Sequence, residues 1–430
     1  MTDRCATSCG PTLSAVSTRG RDRRWLTHNV KVLSGVSLAQ DAASELMYPL
    51  LPILLTTTLG APVAVVGLVE GVAEGVAAAM KYLSGRWSDR YGRKPSVMAG
   101  YGLAAFGKVI IAAAAIWPVV LVGRVVDRIG KGIRSAPRDA LLADGVAPES
   151  LGRVFGFHRA ADTLGAVLGP LVGLAILTAT GGDIGLALWI AVFPALISVS
   201  LVSLTRESRG SQLARVPGRA GAAPDPGVPH APLPRRVRTL ALVLGVFALV
   251  NFPDALILLR VNELGFSAAQ VAGAYALLNL ASAAIAYPAG ALSDRWPRSR
   301  VYALGLACFA VGYLGLGLTT GGWQVLVLLA VYGGFAGITD GVGKAWISAL
   351  SPPEVRGHAQ GLFQGLGGVG ILVAGLWAGL LWTAGPGAGV VPLILSGAVA
   401  GAAALGLWVF GRRLDPDPLA SGTSSVSAPG

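Results

Sequence analysis

Five basic residues, Arg124, Arg128, Lys131, Arg134 and Arg138, follow one another at steps of 4, 3, 3 and 4 within GRVVDRIGKGIRSAPRD, residues 123–139. That spacing puts them on one face of a helix. The stretch before them, IIAAAAIWPVVLV at 110–122, carries no charge. Each cation turned toward lipid at mid-bilayer would cost about 2.5–3.5 kcal/mol even on a mild insertion scale. The stripe must therefore face a protein interior or a water-filled cavity. Its chemistry there is either to hold an anion or to pair with carboxylates.

Carboxylates stand at matching places. Asp41 and Glu45 are one turn apart in SLAQDAASELMYPLLP, and Glu70 and Glu74 are one turn apart beside Gly67, Gly71 and Gly75. Arg159 and Asp162 share a face next to His158. Asp41, Glu45, Glu70, Glu74, Asp127, Asp139 and Asp162 are seven acids, set against seven bases: Lys81, Arg124, Arg128, Lys131, Arg134, Arg138 and Arg159. A pocket for a bulk anion would show excess positive charge. Equal numbers favour paired networks that rearrange between two states. A carboxylate left under-paired in an apolar site takes a proton rather than remain charged. Asp41 and Glu45 lead as proton carriers, because no base adjoins them on their own helix. Asp127 and Asp162 follow, with Arg124 and Lys131 within helical reach of Asp127.

The second half of the chain is poorer in charge. Asn251, Asp254, Arg260, Asn279, Asp340 and Lys344 are its polar candidates, with Asp340 and Lys344 spaced to pair as i,i+4. His158 has a tuneable charge, yet a lone histidine in a helix is more often a hydrogen-bonding strut; His358 reads as a boundary residue. Tyr48, Trp189, Phe247, Phe252, Tyr275, Tyr287 and Trp346 could wall a cavity for an amphipathic organic molecule.

The elements that must carry these residues follow from composition. The 430 residues are 53% hydrophobic and only 13% charged, against about 25% charge in soluble domains. Apolar segments long enough to span a bilayer lie near 33–58, 62–84, 96–116, 118–143, 153–178, 184–205, 238–260, 266–290, 301–319, 323–349, 358–384 and 389–411. This predicts an all-α polytopic membrane protein of twelve transmembrane helices. Lys and Arg gather in the N-terminal tail and in 85–94, 206–238, 294–300 and 412–413, and are missing from the alternate turns. By the positive-inside rule both termini are cytoplasmic in a cell (inner) membrane, and this bias, not nucleic acid, accounts for the net charge of +12.

The domain reading is a tail at 1–32, a six-helix bundle at 33–205, a Pro/Gly/Arg-rich linker at 206–237, a second bundle at 238–411 and a tail at 412–430. The linker lacks a periodic apolar face, and it and the N-terminal tail are expected to be disordered. The bundles repeat at a constant offset of 205 residues: Gly85 falls on Gly290, Ser88-Asp89-Arg90 on Ser293-Asp294-Arg295, Arg93 on Arg298, Glu149 on Glu354, Gly152 on Gly357 and Gly156 on Gly361. Two parallel six-helix repeats are a transporter design with the site at their interface. Cys5, Cys9 and Cys308 form no disulfide framework. Four histidines without a His-rich tract suggest no metal, and no nucleotide-binding pattern suggests an enzyme or an ATP-driven pump.

The loop Gly85-Arg-Trp-Ser-Asp89-Arg90-Tyr-Gly92-Arg93-Lys94 resembles motif A of the major facilitator superfamily, and Gly290-Ala-Leu-Ser-Asp294-Arg295-Trp-Pro-Arg298 resembles a degenerate copy. Pro297 replaces a glycine in that copy, which predicts weaker gating there. Arg124 to Gly132 resembles motif B. Gly165, Gly169, Pro170 and Gly173 resemble motif C, which the family associates with proton-driven antiport, although Leu174 stands where a second glycine is usual. The three glycines form one smooth face and Pro170 bends it, as suits two halves that slide past each other.

The resemblance implies two pseudo-symmetric bundles working by alternating access. The expected activity is proton-coupled efflux of a small molecule, by a monomer in the lipid bilayer that uses the proton gradient and no cofactor. Substrate would sit between segments 1, 4 and 5 and segments 7, 8 and 10, near Arg124, Arg128, Lys131, Arg134, His158, Arg159, Asn251, Asp254, Asn279 and Asp340. Two other readings remain: a proton symporter or exchanger importing a small organic anion or phosphate ester, and a membrane sensor that transports nothing.

Overall fold

The computed structural model describes residues 25–61, 63–206, 232–266, 268–382, 387 and 389–415. Cys5, Cys9, most of both tails and nearly all of the linker lie outside these residues, as do the side chains of Gly67, Glu70 and Arg90.

The first half comprises α1 (His28–Met47), α2 (Val63–Tyr91), α3 (Arg93–Ala112), α4 (Trp117–Ala143), α5 (Leu151–Thr180) and α6 (Ile184–Val202). α1 starts before residue 33 because Thr27 caps it, its side chain accepting from Val30 N–H at 3.3 Å. Helical turns Leu50–Ile53 and Leu54–Thr58 extend it. The second half comprises α7 (Arg235–Ala248), α8 (Asp254–Glu263), α9 (Ala268–Ser293), α10 (Arg298–Leu318), α11 (Trp323–Leu350), α12 (Arg356–Leu380) and α13 (Val390–Phe410).

The expected seventh segment is thus two helices. Pro253 forces the break, since it has no N–H to continue the ladder and pushes Phe252 out of helical geometry. The freed Phe252 carbonyl accepts from the Tyr313 hydroxyl at 3.3 Å, and the Leu249 carbonyl from Trp377 Nε1 at 2.8 Å. Counting α7 and α8 as one span gives twelve. Among the described residues eight helices are long and apolar enough to cross a membrane by composition. The four spans that fall short are α1, α2 and α4, which carry the charge, and the broken seventh.

Neighbour relations repeat between the halves. α2 packs on α4 as α9 packs on α11, and α3 on α6 as α10 on α13. Across the halves, α2 meets α12 while α9 meets α5, and α4 meets α12 while α11 meets α5. Each pairing is the other's repeat mate.

Candidate functional site

Glycine brings the first charged pair together. A Cβ on Gly107 of α3 would stand 2.5 Å from the Asp127 backbone N, so α3 and α4 approach more closely than any side chain would permit. The next residue, Lys108, then reaches Asp127 at 2.6 Å, with Arg124 on the other oxygen at 3.6 Å. Lys108 and Asp127 are both buried. Lys108 stands outside the seven-to-seven balance of acids and bases counted above. It is the one charge inside the apolar run of segment 3, and its neighbour Gly107 was the available signal. With it the first half has eight membrane-embedded bases to seven acids.

The stripe on α4 is buried but does not act as one surface. Arg124, Arg128, Arg134 and Arg138 are 2, 6, 3 and 7% exposed. Arg128 meets Glu74 of α2 at 3.3 Å. Arg134 lies over the Tyr101 ring at 4.2 Å and is 3.9 Å from Asp41. Arg138 donates to Ser37 Oγ at 2.9 Å and lies near Asp139 and Asp162 at 3.1 and 3.8 Å. Lys131 and Lys81 make no ion pair among the described residues; Lys131 lies within the fields of Arg128 on its own helix and of Glu74, Asp41 and Glu45. His158 sits buried between Ser34 and Ser37, at 3.4 Å from each hydroxyl, as a strut on α1.

Two carboxyls lie side by side. Asp41 on α1 and Asp162 on α5 are close enough that the charge of each bears on the other. Asp162 is also 3.3 Å from Arg159, and Arg159 reaches Asp340 of α11 at 3.3 Å. Asp340 pairs with Lys344 at 3.3 Å, as its spacing predicts, and Lys344 crosses back to Asp139 at 3.5 Å. Gln364 of α12 donates to the same Asp139 carboxylate at 3.0 Å. A continuous chain of charges thus joins α1, α5, α11, α4 and α12.

In the second half Tyr332 donates to Asp254 at 2.6 Å, Asn279 donates to its own helix at the Tyr275 carbonyl, and Arg260 Nε donates to the Leu316 carbonyl. Asn251 lies in the α7–α8 break. Tyr275 stands near Glu45 and Asp254. Of the expected aromatic wall, Phe252 and Trp346 are core residues at 1 and 0% exposure.

The cleft is shut at the end where α1 begins and α13 finishes. Asp89 accepts from the backbone N–H groups of Gly357 and His358 at 3.1 and 2.6 Å, at the start of α12. Asp294 accepts from those of Gly152 and Arg153 at 2.7 and 3.0 Å, at the start of α5. A helix N-terminus favours an anion. Arg93 donates to the Pro353 carbonyl and Arg298 to that of Pro148. Arg93 also holds Asp144 at 2.6 Å, Lys94 donates to the Ser203 and Thr205 carbonyls, and Arg295 is exposed. Gly85 lies against Gly357 and Gly361, and Gly290 against Gly152 and Gly156. Toward the other end side chains open out: Glu74 is 58% exposed, Asp139 0%.

Two expectations change. The second motif A copy is as complete as the first, and adds a 3.0 Å bond from Arg153 Nε to Asp294. The turn differs, with Gly92 at φ 109° and Pro297 at −54°, but the latch needs only the carboxylate and the opposing N–H groups. Burial lifts the Asp294 carboxyl above its ordinary range, while these donors pull it back. The motif C face does not lie between the halves. A Cβ on Gly169 would stand 2.5 Å from the Ala42 carbonyl oxygen, and Gly165 abuts Leu38, so the face seats α1 within its own half. The inter-half face of α5 is Gly152 and Gly156.

The family model described as Major Facilitator Superfamily matches residues 33–258 and 240–429. An uncharacterised MFS-type transporter of Methanocaldococcus jannaschii is 30% identical over 370 residues, covering 84% of this chain and 90% of that one. The multidrug resistance protein MdtH of Photorhabdus laumondii is 26% identical over 339 residues, 75% of this chain and 78% of that one. Among solved structures, the proton:xylose symporter XylE superposes with a TM-score of 0.71 at 16% identity, covering 89% of this chain and 94% of that one.

Proposed function

The chain belongs to the Major Facilitator Superfamily of multi-pass membrane transporters, and on that premise we propose that it exports a small molecule in exchange for protons by alternating access. The observation that carries this reading is the contact between Asp41 and Asp162. Two carboxyl groups set side by side in a buried site hold one proton between them, because like charges in contact do not both ionise. The likeness to a multidrug resistance protein supports the outward direction.

With the termini in the cytoplasm of the inner membrane, the cleft opens outward. In that state the pair holds one proton, with Asp162 anionic between Arg138 and Arg159. The pair takes that proton from outside and carries it through to the inward-open state. There substrate entering from the cytoplasm displaces it inward, and this competition for one network couples the two fluxes. Release of the proton leaves two carboxylates facing each other, so Asp41 turns to Arg134 and Asp162 competes with Asp340 for Arg159. Because Asp340 belongs to the other half, that competition ties the state of the pair to the contact between the halves. Asp127, sealed behind α3 with Lys108, has no part in the path.

The test is proton release from inverted membrane vesicles with a respiration-driven acid interior and a quenched dye. Compounds from a panel of drugs, metal ions and organic anions are added singly. A compound that restores fluorescence with wild type but not with Asp41→Asn or Asp162→Asn establishes the coupling. If no compound does so, or if both variants behave as wild type, the proposal fails. Lys81 and Lys131, which form no ion pair among the described residues, favour a second reading as an importer of an organic anion. Uptake of a labelled anion that is lost in Lys131→Ala would select it.

A further inference from the structure

We propose that the outer wall of the second half binds an anionic glycerophospholipid from the leaflet on the side of the termini, with an acyl chain between α7, α10 and α13 and its headgroup on Arg236 and Arg413. This site is separate from the transport cleft and does not rest on the transport reading.

A cavity of about 220 Å³ opens between these three helices. Phe247 of α7 and Leu306 of α10 form its buried floor, and Val243, 39% exposed, stands at its rim. Ala403 and Gly406 of α13 open the slot because they are small. A Cβ placed on Gly406 would meet nothing within 4 Å, so the space is unfilled by the protein itself. All lining side chains are apolar apart from the Tyr302 hydroxyl. In a bilayer such a slot on a lipid-facing wall is filled by hydrocarbon.

The charge above the slot selects the lipid. Arg236 precedes Val243 by seven residues, two turns along the same face of α7. Arg413 follows Gly406 by seven residues, just past the end of α13. Both arginines are exposed, and both lie at the helix ends on the terminal side of the slot. Arg235, Arg238 and Arg412 are exposed beside them. The nearby acid, Asp415, is engaged by the Ser299 N–H and hydroxyl at 3.2 and 2.7 Å. A basic cluster at the membrane surface above an apolar slot attracts a phosphodiester of net negative charge over a zwitterionic headgroup.

The test uses the full chain in nanodiscs containing equal phosphatidylglycerol and phosphatidylcholine, then native mass spectrometry of the lipids that remain after extraction into detergent. Wild type is expected to retain phosphatidylglycerol over phosphatidylcholine by roughly tenfold. Arg236→Gln/Arg413→Gln removes the preference while lipid is still retained, and Gly406→Leu, which fills open space, lowers retention of both lipids. Unchanged elution and melting temperature verify that the variants are folded. Equal retention of the two lipids by wild type, or a preference unmoved in the arginine double variant, overturns the proposal. So does undiminished retention in Gly406→Leu.

Discussion

Asp89 and Asp294 stand 205 residues apart and perform the same act on opposite halves of the molecule. Asp89 takes the first N–H groups of α12, at Gly357 and His358, and Asp294 takes those of α5, at Gly152 and Arg153. Gly357 is itself the repeat mate of Gly152. Each half therefore clamps the other with one sequence unit, and the closure at this end is a reciprocal pair of latches.

The latches should be of equal weight. A hydrogen bond to a charged group contributes about 1.5–3 kcal/mol. Asp89→Asn and Asp294→Asn should each shift the population toward opening at the terminal end by roughly tenfold or more. Spin labels across α2 and α12 would report this as a longer distance. A clearly smaller effect for Asp294→Asn would restore the expectation that Pro297 weakens the second copy.

Arg159 and Asp340 should behave as a coupled pair across the halves. Arg159→Ala and Asp340→Ala should each impair flux, and the exchange Arg159→Asp with Asp340→Arg should recover part of it. A coupling energy of about 0.5–3 kcal/mol is the range for residues in one network. The cycle is measured on initial transport rates. Strict additivity of the two single effects would argue against the pairing.

Lys108 and Asp127 should be structural. Removing one partner of a buried pair costs about 3–5 kcal/mol, whereas replacing both with apolar residues of similar volume is near neutral. Lys108→Ala should therefore lower the melting temperature sharply. Lys108→Met with Asp127→Leu should regain part of the stability, since it also takes from Arg124 the carboxylate 3.6 Å away, and should keep proton-coupled flux. Loss of coupling in a stable double variant would return Asp127 to the proton path.

Gly169→Leu should separate α1 from α5. Its Cβ falls on the Ala42 carbonyl, a backbone atom that cannot give way alone. The displacement of α1 would also part Asp41 from Asp162. The expected result is a marked loss of thermal stability together with loss of proton-coupled transport, read on the same preparation.

Much of this molecule was legible in the chain itself. Apolar runs gave the spans, and the lipid's intolerance of charge meant that the α4 stripe had to be buried. The fixed offset gave the two halves and even the mates of the two latches. The Asp340–Lys344 pair followed from i,i+4 spacing. What spacing could not supply was partners on other helices. Lys108 meets Asp127 only because Gly107 lets two backbones close, and Asp41 meets Asp162 only because Gly165 and Gly169 seat α1 on α5. Lys344 and Asp139 are 205 residues apart in the chain and 3.5 Å apart in space. Local periodicity fixes which face of a helix a charge occupies. Which charges share a proton or tie the halves is decided by how closely the backbones approach, and that depends on the packing of the whole bundle.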